Sequence, residues 1–169
     1  PLGDLANILA DPNCNLVDVI ENEALPFYMK RERRSLVKYL KKETTIRGLV
    51  EIVLTEESLR DNSPSLISKA LTIFTSNQPV IFQLFNSSAL LADLLHKFLE
   101  SPASWNSRLV GHFSRIVIPQ IRFGVPILFS KYSDVIDLLM QRFYLIGVQE
   151  IILTVATRQQ SSLFDNYPL

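Results

Sequence analysis

The sequence predicts an all-α fold, an irregular armadillo- or HEAT-like α-solenoid of roughly ten helices. Three observations carry this. Apolar residues recur at i, i+3, i+4 spacing along most of the chain, the period of an amphipathic helix. Glycine is scarce, five among 169 residues, below the usual share of about 7% and short of what a turn-rich β fold uses. The breaks between periodic stretches are short, as in helical bundles, and no two-residue hairpin turn adjoins them. The β-branched runs 116–121 and 148–155 read as helix because both continue the helical spacing.

Leu5, Ile8 and Leu9 predict a short first helix that stops near Asp11-Pro12, since proline lacks an amide donor and restricts its predecessor. Asn15 is placed to cap a second short helix through Ile20. Residues 24–55 then read as two consecutive amphipathic helices with a polar joint at Lys42–Thr44. Met29, Leu36, Val37 and Leu40 form one apolar stripe, and Ile46, Leu49, Val50 and Val53 the other. Neither stripe can be hidden by its own helix, so each must be covered by the other and by later helices. Ser63-Pro64 is a capping serine followed by proline at the first helical position, ahead of Leu66, Ile67, Ala70, Leu71 and Phe74. Asn77-Gln78-Pro79 and Ser87-Ser88 bracket a shorter helix before the periodic run from Leu90 to Leu99. Ser101-Pro102 repeats the start signal for a helix using Trp105, Leu109, Phe113, Ile116 and Val117, expected to fail near Pro119. Gly124-Val125-Pro126 is an irregular joint; Ser133 is expected to cap a helix through Phe143, and a last helix runs from about Gly147 to about Thr157. Pro1-Leu2-Gly3 reads as the remnant of a cleaved tag, 4–160 as one helical-repeat domain belonging to a longer protein, and 161–169 as a C-terminal tail.

The hydrophobic fraction of 47% and charged fraction of 20% are those of a folded globular chain. Net charge is zero, which removes any global drive toward nucleic acid or anionic membrane. The zero hides an asymmetry, an acidic start (Asp4, Asp11, Asp18, Glu21, Glu23) followed by a basic run from Lys30 to Arg47. A lone cysteine, Cys14, forms no intrachain disulfide and favours a reducing compartment. The apolar runs are too short to span a bilayer, so membrane insertion is not expected.

Chemistry-bearing patterns are sparse. His96 and His112 fall in different helices, without the i, i+4 partner or acidic company of a metal site, and read as hydrogen-bonded structural residues. Cys14 reads as a small buried or half-buried side chain. Asp134 and Asp137 suit the dipole of a helix first turn. No phosphate loop, nucleophile elbow or kinase signature occurs, and no catalytic residue, metal ligand or cofactor site is assigned. The basic run has more content. Lys30, Arg31, Arg34, Lys38 and Lys41 share a helix surface by i, i+3, i+4, i+7 logic, as a solvated outer face or as a docking surface for an acidic partner. A nucleic-acid reading is weaker, because no further basic or aromatic stripe is expected elsewhere.

The order Leu5-x-x-Ile8-Leu9, then Asn15 to Leu25 with its acids, then Lys30, then Ser35-Leu36-Val37-Lys38-Tyr39-Leu40, then Leu49-Val50-x-x-Val53-Leu54-Thr55 resembles the opening of the SAPS-domain family. These are regulatory subunits of protein phosphatase 6 and its fungal counterpart. The family shows a Leu-x-x-Leu-Leu segment, a short acidic helix, a lysine, a Lys-Leu-x-x-Phe-Leu segment and a Leu-Val-x-x-Ile-Thr ending. The match is specific over about residues 5–55 and follows the order of elements beyond. It departs where Glu21-Asn22-Glu23-Ala24 stands for a run of four acids, Arg33 for asparagine and Tyr39 for phenylalanine, as in a divergent eukaryotic member. The resemblance implies a non-enzymatic helical scaffold, cytoplasmic with the nucleus as a second compartment. Its partners would be the catalytic subunit of a Ser/Thr phosphatase and an ankyrin-repeat subunit, with no nucleic acid. The competing readings are a generic armadillo/HEAT-like module of another pathway and an uncharacterised helical enzyme. The physical candidates for a partner-binding surface are Glu21, Glu23, Lys30, Arg31, Arg34 and Lys38.

Overall fold

A computed structural model describes residues 4–124 and 126–164, with side chains through Gln159. Among them are thirteen α-helices, one 3-10 turn and no strand. In order they are α1 (Leu5–Ala10), α2 (Leu16–Glu21), α3 (Leu25–Lys30), α4 (Arg34–Leu40), α5 (Glu43–Leu54), α6 (Glu56–Asp61), α7 (Pro64–Phe74), α8 (Pro79–Asn86), α9 (Ala89–Glu100), the 3-10 turn Pro102–Trp105, α10 (Ser107–Phe123), α11 (Ile127–Lys131), α12 (Val135–Met140) and α13 (Ile146–Phe164). The all-α class holds, as an irregular array of short helices. The expected tag remnant at 1–3 and the end of the expected tail, 165–169, lie outside the described residues. α13 continues past Thr157 to Phe164, into the span read as tail.

α5 and α10 occupy the centre. α5 packs on α7, α9 and α10, and the most extensive helix pair is α10 with α13. Both expected stripes face the core: Leu49 and Val53 of α5 are fully covered, as are Leu36 and Leu40 of α4, while Val37 is half-buried. Leu109, Phe113 and Val117 of α10 join the same core. Each such side chain contributes about 1.5–3 kcal/mol over its exposed state. Capping follows the sequence at Asn15 and Ser63, whereas Ser101, expected to start a helix, makes no side-chain cap bond and opens the 3-10 turn. Asn15, Ser63, Ser88 and Asn106 each accept a hydrogen bond from a first-turn amide, and Pro64 and Pro79 sit in first turns where the missing N–H costs nothing.

Three helices appear beyond the roughly ten expected. Two are α6, capped by Thr55, and α11. The third arises because the helix expected over 24–42 is broken at Arg31–Arg33. There the Arg33 amide donates to Tyr28 O and the Glu32 amide to Met29 O, each at 3.0 Å, the bond pair of a Schellman C-terminus. Glu32 takes the left-handed position at φ 46, which glycine normally fills. Its carboxylate accepts from the amides of Val80 at 2.5 Å and Ile81 at 3.3 Å. Those amides open α8, whose own N-cap Gln78 makes no side-chain cap bond. A tertiary anchor thus holds a backbone conformation that the local sequence does not advertise.

Other expectations are corrected. α10 runs through Pro119 to Phe123. An interior proline costs about 3 kcal/mol, whereas burying Ile116, Val117 and Ile121 against their neighbours is worth about 5–9 kcal/mol for three such side chains. Trp105 belongs to the 3-10 turn, not to α10, and is 46% exposed. Its ring lies 4.3 Å from the Arg142 guanidinium. Arg142 is itself buried, donating to Ser104 Oγ at 2.8 Å, Leu99 O at 2.7 Å and Leu138 O at 2.6 Å, so that it ties α12 to the end of α9. Burial holds its pKa below the ordinary arginine value. The helix expected to start at Ser133 begins at Val135, and its Asp134 N-cap makes no side-chain cap bond. That carboxylate bonds His96 instead, at 2.8 Å from Nε2.

Candidate interaction surface

The break at Glu32 divides the basic face expected on one helix. Lys30 ends α3, Arg31 and Arg33 lie in the connection, and Arg34 and Lys38 belong to α4. Lys30, Arg31, Arg34 and Lys38 are all exposed, so the charges reach solvent as expected, but only Arg34 and Lys38 keep an i, i+4 relation on one helix. Glu21 accepts from Lys69 Nζ at 2.8 Å in a half-exposed pair joining α2 to α7, while Glu23 is exposed.

Phe27, absent from the sequence-based list, is the centre of this surface. It is 47% exposed, with the Arg31 guanidinium 4.5 Å and the Arg33 guanidinium 5.7 Å from its ring centroid. Arg33 also lies 5.9 Å from the Tyr28 ring. Such stacking pre-orients two planar cations whose forked donors suit carboxylates, and each contact adds about 0.5–1 kcal/mol at an exposed site. An exposed aromatic held between arginines is the composition found at interface hot spots. The spacing Phe27, Arg31 at i, i+4 was readable; the Arg33 contact depends on the turn at Glu32 and was not.

The histidines and Cys14 serve structure. His96 is buried, stacks on Tyr132 at a centroid distance of 3.8 Å, and, against the expectation that it lacks acidic company, places its ring nitrogens 2.8 Å from Asp134 and 3.1 Å from Glu100 at i+4. Asp93 beside it accepts from Tyr132 Oη and Lys131 Nζ, and these bonds hold its carboxyl below the usual range. The cluster latches α11 and α12 onto α9. His112 bonds Val53 O at 2.8 Å through Nδ1, linking α10 to α5. Cys14 is half-buried against Tyr39; burial first, and the Cys14 hydrogen bond second, push the Tyr39 phenol well above its ordinary value.

A second basic feature went unexpected. Arg108, Arg115 and Arg122 are exposed at seven-residue spacing along α10. This corrects the expectation that the chain holds no basic stripe beyond the run starting at Lys30. The spacing stood in the sequence, but a helix ending near Pro119 excluded Arg122 from it. Beside the stripe a groove of about 530 Å³ opens between α10 and α13, lined by Arg115, Ile118, Arg122, Glu150, Leu153 and Thr154 among others.

The fold and these surfaces define an α-helical array whose recognisable features are exposed charged and aromatic patches. Over 162 residues, 90% of this chain, it is 26% identical to Serine/threonine-protein phosphatase 6 regulatory subunit 1 of Homo sapiens. The chain spans about 18% of the length of that curated relative. No protein-family model matches the chain, and no solved structure does. No helix among the described residues is long and apolar enough to cross a membrane.

Proposed function

We propose that this chain is part of a non-catalytic regulatory scaffold that binds the catalytic subunit of a type 6-like protein Ser/Thr phosphatase. The observation that carries the reading is the likeness to a phosphatase 6 regulatory subunit along 90% of a chain whose described residues form helices and no strand. The SAPS-like order of residues 5–55 accords with it, and its apolar positions are buried or half-buried in α1 to α5. The contact surface is the basic and aromatic patch around Phe27, with Arg31 stacked on the ring, Lys30, Arg34 and Lys38 as rim charges and Glu21 and Glu23 as the acidic candidates. Rim charges steer an acidic partner and set its orientation, while the ring and its stacked guanidiniums supply the buried contact. An ankyrin-repeat subunit is the further partner, in the cytoplasm or the nucleus.

The test is direct binding of the purified 169-residue chain to a recombinant type 6 catalytic subunit, with a type 1 catalytic subunit as control. Selective binding to the type 6 subunit is expected. Phe27→Ala should weaken it about tenfold or more, the usual scale of a hot spot. Reversing Lys30, Arg34 and Lys38 to glutamate should slow association more than it speeds dissociation, with the melting temperature close to wild type. Wild-type chain that ignores the type 6 subunit would sink the phosphatase reading. Binding that survives every substitution would show the patch to be only a solvated face.

A further inference from the structure

α10 presents one narrow face to solvent, and arginine occupies it at every second turn. Arg108, Arg115 and Arg122 lie nearly in line, about 10 Å apart at 1.5 Å per residue. Gly111, His112, Ile118 and Pro119 fill the intervals and are only half-buried. Three exposed cations elsewhere hold a carboxylate: Arg47 holds Glu43 and Lys69 holds Glu21, both at 2.8 Å, and Lys131 holds Asp93 at 2.5 Å. Among the described residues no carboxylate lies within ion-pair distance of Arg108, Arg115 or Arg122. The uncompensated charge is felt inside the stripe. His112 has its pKa held below the ordinary 6.5 by burial first, and then by Arg108 and Arg115. The adjoining groove of about 530 Å³ shares Arg122, Leu153 and Thr154 with a second groove of about 310 Å³, so the two continue along α13. Leu153 is 68% exposed there, an apolar side chain beside the guanidiniums.

We propose that the α10–α13 groove docks an acidic protein segment, whose carboxylates pair with Arg108, Arg115 and Arg122 while an apolar side chain seats on Leu153 and Ile118. Arginine forks match carboxylates in bidentate geometry and are more weakly hydrated than ammonium groups, so they give up water at lower cost. A segment in polyproline II form, with three residues per turn and a rise of about 3.1 Å, places every third side chain on one side about 9 Å apart, close to the repeat of the stripe. Nucleic acid fits less well. Glu150 stands on the groove wall, and no aromatic ring lines the groove among the described residues for bases to stack on. This inference does not rest on the phosphatase reading; its residues lie on another helix from the patch around Phe27.

The test is fluorescence anisotropy of the whole chain with a fluorescein-labelled peptide of repeating Glu-Ser-Leu triplets. Saturable binding that weakens with added salt is expected. Replacing Arg108, Arg115 and Arg122 together by glutamine should weaken it roughly tenfold, the combined scale of three exposed ion pairs. Replacing Lys30, Arg34 and Lys38 by glutamine should leave it within about twofold, the scale of long-range charge effects at physiological salt. All six side chains are exposed, so thermal unfolding is expected to stay near wild type. If the triple variant unfolds early, Arg115→Gln and Arg122→Gln alone give the same comparison. The proposal is overturned if the wild-type chain does not bind the peptide, or if the glutamine variants bind it equally. It is also overturned if duplex DNA of matched charge competes more strongly than the unlabelled peptide.

Discussion

Glu32 shows how one residue reconciles a local cost with a distant contact. A non-glycine residue at φ 46 gives up about 1–2 kcal/mol relative to a right-handed backbone. The two amides its carboxylate accepts from would otherwise be orphans at the start of α8, and charge-assisted bonds of that kind return about 1.5–3 kcal/mol. The two terms separate by mutation. Glu32→Ala keeps the strain and loses the bonds, so it should destabilise by about 2 kcal/mol. Glu32→Gly loses the same bonds but relieves the strain, and should lie about 1 kcal/mol above the alanine variant. Urea midpoints at constant m-value measure both. Equal midpoints for the two variants would show that no strain is held there. At this scale the sequence was legible where a residue acts on its immediate neighbours: Asn15 and Ser63 cap as their types and positions predict. It was illegible where the partner is far along the chain. Glu32 meets α8 from 48 residues away, and Asp134, at the N-cap of α12 as its charge suits, also bonds His96, 38 residues away.

Between elements, the α10–α13 pair decides how the C-terminal part packs, and its two glycines play opposite parts. A Cβ on Gly147 would sit 3.0 Å from Val110 O and 3.1 Å from Val110 Cγ1. The obstacle includes backbone, which cannot rotate aside as a side chain can, so the two helices approach this closely only because Gly147 lacks a side chain. Gly147→Val should therefore destabilise by about 1–3 kcal/mol through overpacking. A Cβ on Gly111, in the same α10, would meet nothing within 4 Å. Gly111→Ala should stabilise by about 0.5–1 kcal/mol, the helix-interior difference between these residues. Thermal and urea unfolding of both variants check the pair, and a Gly147→Val protein as stable as wild type would mean that α13 is not held at this distance. The apolar periodicity identified both helices correctly but misplaced their ends. Pro119 is a strong local stop, and only the burial of Ile116, Val117 and Ile121 on both sides of it carries α10 past. Propensity is read within one helix; the term that outweighs it comes from another. The same misplacement hid Arg122, and with it the stripe.

For the molecule as a whole, the fold class followed from periodicity because an array of short helices draws its stability from nearest-neighbour faces, and those faces are written locally. What periodicity does not give is which faces stay uncovered. Ten large hydrophobic side chains are exposed among the described residues, and six of them fall between Ile136 and Leu153. Phe143 is 46%, Tyr144 66% and Ile146 73% exposed. Scattered exposed apolar residues need no explanation, but a concentration of this kind favours association. Charge does not oppose it, since the net charge at neutral pH is zero and no long-range repulsion keeps copies apart. The 169-residue chain alone is thus expected to self-associate as its concentration rises. Sedimentation velocity over a concentration series should show the weight-average mass climbing. Phe143→Glu with Ile146→Glu should hold it at the monomer value, by adding charge and removing apolar surface at once. Neither side chain is buried, so the melting temperature of the double variant should stay close to wild type. A wild-type chain that stays monomeric throughout the series would show that these side chains, though exposed, are too dispersed to bind a second copy.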